Sequence, residues 1–194
     1  MIICCLGDSL TEGDYGIKGK SGIANVQKES YPYFLAEMTG AEVRNFGKCG
    51  YRSTGFLAFY KAGNVRVSDA DKVLIMLGTN GGQTPEGDSP DDVAYKELIA
   101  LIQADAPQAE IYLITPPNAT VNPEYSNCGY MPQVKAAQKF VRGLAAELGL
   151  KLIDLGSSPS FTPETESRMQ PNDGLHFGRE GYKTMAEEIK AAII

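Results

Sequence analysis

Five short apolar, β-branched runs alternate along this chain with longer segments of helical period: Met1 to Leu6, Glu42 to Phe46, Lys72 to Leu77, Glu110 to Thr115 and Lys151 to Leu155. Each is short enough for a strand, and three are apolar almost throughout, as strands covered on both faces are. Between them, ESYPYFLAEMTG (29 to 40), PDDVAYKELIALIQADAP (90 to 107) and MPQVKAAQKFVRGLAAELG (131 to 149) read as helices, and GREGYKTMAEEIKAAII closes the chain as another. End chemistry supports these bounds. Ser89 or Asp91 can cap a helix with Pro90 in its first turn, while Gly40 and Gly149 suit the left-handed position after a helix end. Strand followed by helix, repeated, predicts right-handed crossovers and a parallel sheet with helices on both faces.

The expected fold class is therefore α/β, a three-layer α/β/α sandwich on a five-stranded parallel sheet, with the flavodoxin-like order 2-1-3-4-5 as the simplest arrangement. The 194 residues, 43% of them apolar, suit one domain spanning 1–194. A net charge of -6 and a pI near 4.9, with acids and bases mixed along the chain, leave no basic footprint for nucleic acid. No apolar stretch approaches the roughly 18 residues needed to span a bilayer, and MIICCLG lacks a basic n-region and a small-residue cleavage site, so a cytoplasmic location is expected. Cys4, Cys5, Cys49 and Cys128 have no metal-ligand spacing and read as free thiols. G-x-G-x-x-G and Walker spacings are missing, and a single histidine precludes a multi-histidine metal site; no cofactor and no metal are expected.

The long polar loops, 14–28, 81–89, 117–130 and 157–173, nearly all follow the carboxyl end of a strand, the edge where open α/β sheets bind ligands. GDSLTEG (7 to 13) breaks the first strand there and sets Asp8 and Ser9 at that edge. Ser9 in such a place suits either a helix cap or a nucleophile. At the other end of the chain, PNDGLHFGREGY (171 to 182) holds His176, the one histidine, with Asp173 three residues before it. A lone histidine is commonly an ordinary residue. One turn of chain, however, can lay a carboxylate against Nδ1–H and leave Nε2 facing a nucleophile. In NFGKCGYRS (45 to 53) Gly50 can offer an unencumbered backbone N–H, and in LGTNGG (77 to 82) Asn80 carries an amide suited to an oxyanion, though Asn-Gly is also a common turn former.

Taken together these stretches resemble the four blocks of the SGNH hydrolase superfamily, the GDSL esterases and lipases. GDSLTEG is similar to the first block, NFGKCG to the second, GTN to the third and DGLH with GREGY to the last, in order and over Gly7 to Tyr182. The resemblance implies Ser9 as nucleophile, His176 as general base, Asp173 as the residue orienting it, and an oxyanion hole made by the Ser9 N–H, the Gly50 N–H and the Asn80 side chain. Asp8 is implied to support the site rather than to react. One departure stands out: the family usually has Asp after the Asn of its third block, and this chain has Gly81. Asp154, ending the fifth run, is the rival to Asp173 for the acid.

The resemblance implies a serine esterase working through an acyl-enzyme. Polar loops and the lack of tryptophan point to a small acyl group on a polar alcohol, such as an acetylated carbohydrate, as the small-molecule partner. A thioesterase or lysophospholipase using the same residues is the alternative. A non-catalytic binding module would explain the glycine loops but not the four ordered blocks. Phe56, Phe59 and Tyr60 suit either a subunit interface or the core, so oligomeric state is not legible, and NAT at 118–120 is read as a chance sequon.

Overall fold

The computed structural model describes residues 1–17 and 29–194. The chain runs β1 (Ile2–Gly7), α1 (Ser9–Glu12), α2 (Tyr31–Thr39), β2 (Glu42–Gly47), α3 (Ser53–Lys61), β3 (Lys72–Met76), α4 (Pro90–Asp105), β4 (Glu110–Ile114), α5 (Met131–Leu148), β5 (Lys151–Ile153), α6 (Glu166–Met169) and α7 (Arg179–Ile193). The five strands are parallel in the order β2-β1-β3-β4-β5, so the simplest order expected from the sequence is the one adopted.

Side-chain alternation along each strand feeds two apolar layers. Cys4 and Leu6 of β1 with Val73 and Ile75 of β3 face Phe56 and Leu57 of α3, Tyr95, Leu98 and Ile102 of α4, and Val141 and Leu144 of α5. Ile3 and Cys5 with Leu74 and Met76 face the opposite way, onto Phe34 and Leu35 of α2 and Tyr182, Met185 and Ile189 of α7. Covering on both faces is why β1, β3 and β4 read as unbroken apolar runs, and each fully buried aliphatic side chain contributes about 1.5–3 kcal/mol. β2 lies at an edge and is accordingly more polar and more exposed.

Helix ends follow the expected chemistry. Ser89 caps α4 in a reciprocal capping box with Asp92, leaving Asp91 free for another task. Gly40 and Gly149 end α2 and α5. The expected helices and strands form within a few residues of their expected limits, but β5 stops at Ile153. There Thr115 Oγ1 accepts from the Gly156 N–H at 2.9 Å and draws the chain into a 3-10 turn, Leu155–Ser157. α3 is an addition: STGFLAFYK carries a glycine and aromatic residues that blur its period. Its Phe56 and Tyr60 are buried in the core, and Phe59 is partly buried against it. Among the described residues no helix is long and apolar enough to cross a membrane. All four cysteines are free thiols.

Candidate functional site

β1 delivers its carboxyl end directly to Asp8 and Ser9. Asp8 caps the single turn α1, its Oδ1 accepting the Leu10 N–H at 3.0 Å, so Ser9 begins a helical turn at the sheet edge. The carboxyl group of Asp8 is wholly buried, and its Oδ2 has no partner among the described residues. Burial drives its pKa up to about 6, against the pull of the Leu10 N–H, of the Thr79 hydroxyl and N–H, and of His176.

The segment before α7 comes back to the same edge. Asp173 Oδ1 accepts the backbone N–H groups of Leu175 at 3.0 Å and His176 at 2.9 Å, which closes a tight loop and aims Oδ2 at the imidazole. His176 Nδ1 lies 2.7 Å from Asp173 Oδ2, and Nε2 lies 2.9 Å from Ser9 Oγ. A carboxylate only accepts, so Nδ1 carries the proton; in the neutral ring Nε2 then keeps its lone pair for the Ser9 hydroxyl. Residues 167 positions apart thus form one hydrogen-bonded line. The His176 and Asp173 side chains are only 14% and 11% exposed, little enough for the interaction to escape most solvent screening. Burial alone lowers the pKa of His176. The hydrogen bond and charge of Asp173, with the more distant Asp14 and Asp8, outweigh that effect and raise it above its ordinary value. For Asp173 burial acts upward, and the bonds from His176 and the two backbone N–H groups overcome it, holding the acid below the usual carboxylate range.

Several loops lock this arrangement. The Asn127 N–H donates to the Asp173 carbonyl and the Thr120 N–H to that of Gly174, so the 117–130 loop is laced onto the Asp173 turn. Asn172 Nδ2 donates to the Tyr15 carbonyl at 2.8 Å. Gly16 has φ +65°, and a Cβ there would stand 2.2 Å from Asp173 Oδ2; the chain passes the acid at a distance no side chain permits.

The loops after β2 and β3 meet beside α1. Cys49 N–H donates to Glu12 Oε2 at 2.6 Å, and Asn45 Nδ2 donates to the Thr11 carbonyl at 2.8 Å, tying the Gly50 turn to the turn bearing Ser9. Asn80 Nδ2 donates one proton to the Tyr51 carbonyl at 3.0 Å. Gly81 supplies no carboxyl group, and its carbonyl accepts from Arg52 Nε at 3.3 Å. Asp154, the rival acid, is not in this line. It is held by Arg142 at 2.8 and 2.9 Å and by Thr115 Oγ1 at 2.7 Å, clasping β4, α5 and β5.

The model of the GDSL-like lipase/acylhydrolase family matches residues 5–184. The chain belongs to this family. It is therefore an enzyme of the ester-hydrolase class. Solved structures repeat the fold over nearly their whole length. A lipase/acylhydrolase from Enterococcus faecalis is 24% identical with a TM-score of 0.72, covering 99% of this chain and 94% of its own. The native M. smegmatis aryl esterase is 18% identical with a TM-score of 0.75, covering 99% of each. A carbohydrate acetylesterase family member from Sinorhizobium meliloti is 21% identical with a TM-score of 0.73, covering 99% and 96%. No curated protein sequence matches the chain.

In this GDSL-family chain a cleft of about 520 Å³ opens at the imidazole, lined by Asp14, Gly16, Ile17, Glu124, Ser126 and Asn172 as well as Asp173 and His176. Two of the loops expected to line the site reach it: Asp14, Gly16 and Ile17 come from the first and Glu124 and Ser126 from the 117–130 loop. The remainder of the first loop, 18–28, lies outside the described residues. Glu12, Tyr51 and Gln133, whose Nε2 donates to the Thr79 carbonyl at 2.8 Å, were not legible as parts of the site. Glu12 stands inside GDSLTEG and could have been suspected. Tyr51 offers its backbone carbonyl and Gln133 binds that of Thr79, and no residue type announces which peptide oxygen is engaged.

Proposed function

We propose that the chain hydrolyses carboxylic esters through an acyl-enzyme on Ser9, within a single hydrolase domain, and that its substrates carry a small acyl group on a polar alcohol such as a carbohydrate. One observation carries the reading: His176 touches Ser9 Oγ with one ring nitrogen, at 2.9 Å, and Asp173 with the other, at 2.7 Å. A serine hydroxyl is a poor nucleophile at neutral pH. His176 Nε2 takes its proton as Oγ attacks the ester carbonyl, then delivers that proton to the departing alcohol. Water enters, the same nitrogen deprotonates it, and a second attack frees the acid and restores Ser9. Asp173 fixes the tautomer and stabilises the imidazolium formed in each step. Charge on the carbonyl oxygen is met by the Ser9 and Gly50 N–H groups and the Asn80 amide, each such donor contributing about 2.7–4 kcal/mol to the transition state.

In support of a polar alcohol, the cleft beside His176 presents Asp14, Glu124, Ser126 and Asn172, which can bind hydroxyl groups, together with the apolar Ile17. The likeness in fold to a carbohydrate acetylesterase family member is in keeping with it. The test is labelling with a fluorophosphonate, mapping of the modified peptide by mass spectrometry, and His176→Ala as control, followed by acetylated sugars against longer acyl esters. Label on Ser9 that disappears in the variant is the expected result. Well-folded protein that takes no label would overturn the mechanism, and preference for long acyl chains would overturn the substrate class.

A further inference from the structure

Asn80 has two amide protons. The one bound by the Tyr51 carbonyl fixes the plane of the amide, so the direction in which the other points depends on where that carbonyl sits. The residue next to Tyr51 is Arg52, and it reaches back to the Asn80 loop. Its Nε lies 3.3 Å from the Gly81 carbonyl and 3.4 Å from Asp91 Oδ2. Asp91 stands in the first turn of α4, 5% exposed, and its Oδ1 accepts the Thr54 N–H and the Thr54 hydroxyl, both at 2.9 Å. It thereby satisfies an N–H in the first turn of α3, which has no side-chain cap of its own. Its other oxygen fills the space beside Gly82: a Cβ at that residue, where φ is +98°, would lie 2.1 Å from Oδ2. Arg52 and Asp91 therefore join the residue that follows Tyr51, the two glycines that follow Asn80, and the start of α4.

We propose that Arg52 and Asp91 are positioning residues for ester hydrolysis, holding the Tyr51 carbonyl and the Asn80 amide in register so that the free Asn80 proton is aimed at the substrate oxygen before substrate arrives. The inference rests on the reading of Asn80 as an oxyanion donor. Neither side chain touches reacting atoms. Arg52 is half-exposed, so its ion pair adds little to folding, and its loss registers in rate rather than in stability. Preorganisation is where such a contact acts: a donor that must be reoriented during the reaction stabilises the transition state less.

The test is a double-mutant cycle on the full chain, read as the rate constant for fluorophosphonate labelling of Ser9 and as kcat and KM for p-nitrophenyl acetate. Arg52→Ala lowers kcat and the labelling rate about tenfold or more while KM and Tm stay near wild type. In the Asn80→Ala background the same substitution costs less than about twofold, because the group it positions has gone. Asp91→Asn repeats the pattern, with a lower Tm from the weakened α3 cap. Undiminished kcat in Arg52→Ala, or equal losses in both backgrounds, would overturn the proposal. A wild-type protein that neither turns over ester nor labels would instead overturn the assignment of Ser9, and this inference with it.

Discussion

Replacing Asp173 with Asn keeps size and shape and changes only which atoms can accept. In the wild type one carboxylate oxygen takes two backbone N–H groups, at 2.9 and 3.0 Å, and the other takes His176 Nδ1–H at 2.7 Å. An amide has one accepting end. If that end stays on the two N–H groups, the NH2 faces Nδ1, the ring proton moves to Nε2, and Ser9 loses its base. To restore the base the amide must turn over and set NH2 against both backbone donors. That leaves the two largely buried N–H groups facing an NH2 with no acceptor, each orphaned donor costing about 1–3 kcal/mol. The productive orientation is then disfavoured by about 2–6 kcal/mol, and at 1.36 kcal/mol per decade kcat falls roughly 30-fold to 10⁴-fold. The same change in a serine protease of unrelated fold costs about 10⁴. The assay is kcat for p-nitrophenyl acetate beside a thermal melt. A variant that folds and retains more than about a tenth of the wild-type rate would refute the assignment of Asp173 and the tautomer argument together.

Further outcomes follow from the same geometry. His176 must be neutral to act as base, and its pKa is raised, so kcat/KM should climb with pH through a midpoint above the ordinary value of 6.5. A midpoint below that, with chemistry limiting, would contradict the role of Asp173. The linked stability has the opposite sense: the His176–Asp173 contact stabilises the fold through protonated His176 below 6.5, and that contribution fades as pH rises past the folded-state pKa. Asn80→Ala should lower kcat about 10²- to 10³-fold with little change in KM, and an unchanged kcat would remove Asn80 from the oxyanion hole. Asp8 is raised from 3.8 to about 6, so the folded state holds its proton more tightly and ionisation costs stability as pH rises through that window, about 3 kcal/mol by pH 7. Asp8→Asn keeps the acceptor for the Leu10 N–H and removes the buried charge. Its Tm should exceed wild type at pH 8 and converge with it near pH 4, which melts at the two pH values would check; a variant less stable at pH 8 would show that the carboxylate is compensated.

The alternation of apolar runs and helical segments was enough to determine the class of fold, because strands covered on both faces must be apolar throughout and helices returning between parallel strands must be amphipathic. It did not reveal α3, whose glycine and aromatics obscure its period, nor where β5 ends, which a bond from Gly156 to Thr115 decides. The site divides in the same way. Asp173 and His176 are three residues apart, and a turn can join them locally, so their pairing was legible. That His176 also reaches Ser9, 167 residues away, depends on β1 and the turn before α7 ending at one edge of the sheet. The three-residue spacing to His176 already favoured Asp173 over Asp154, which follows the fifth strand, and the packing of α5 shows why: it commits Asp154 to Arg142. Least legible were the tethers of the Asn80 loop. The Tyr51, Thr79 and Gly81 carbonyls are peptide oxygens identical at every position of a chain, and what singles them out is the approach of Asn80, Gln133 and Arg52 across space. Sequence specifies the side chains that carry chemistry; their aim is set by backbone groups that only folding brings within reach.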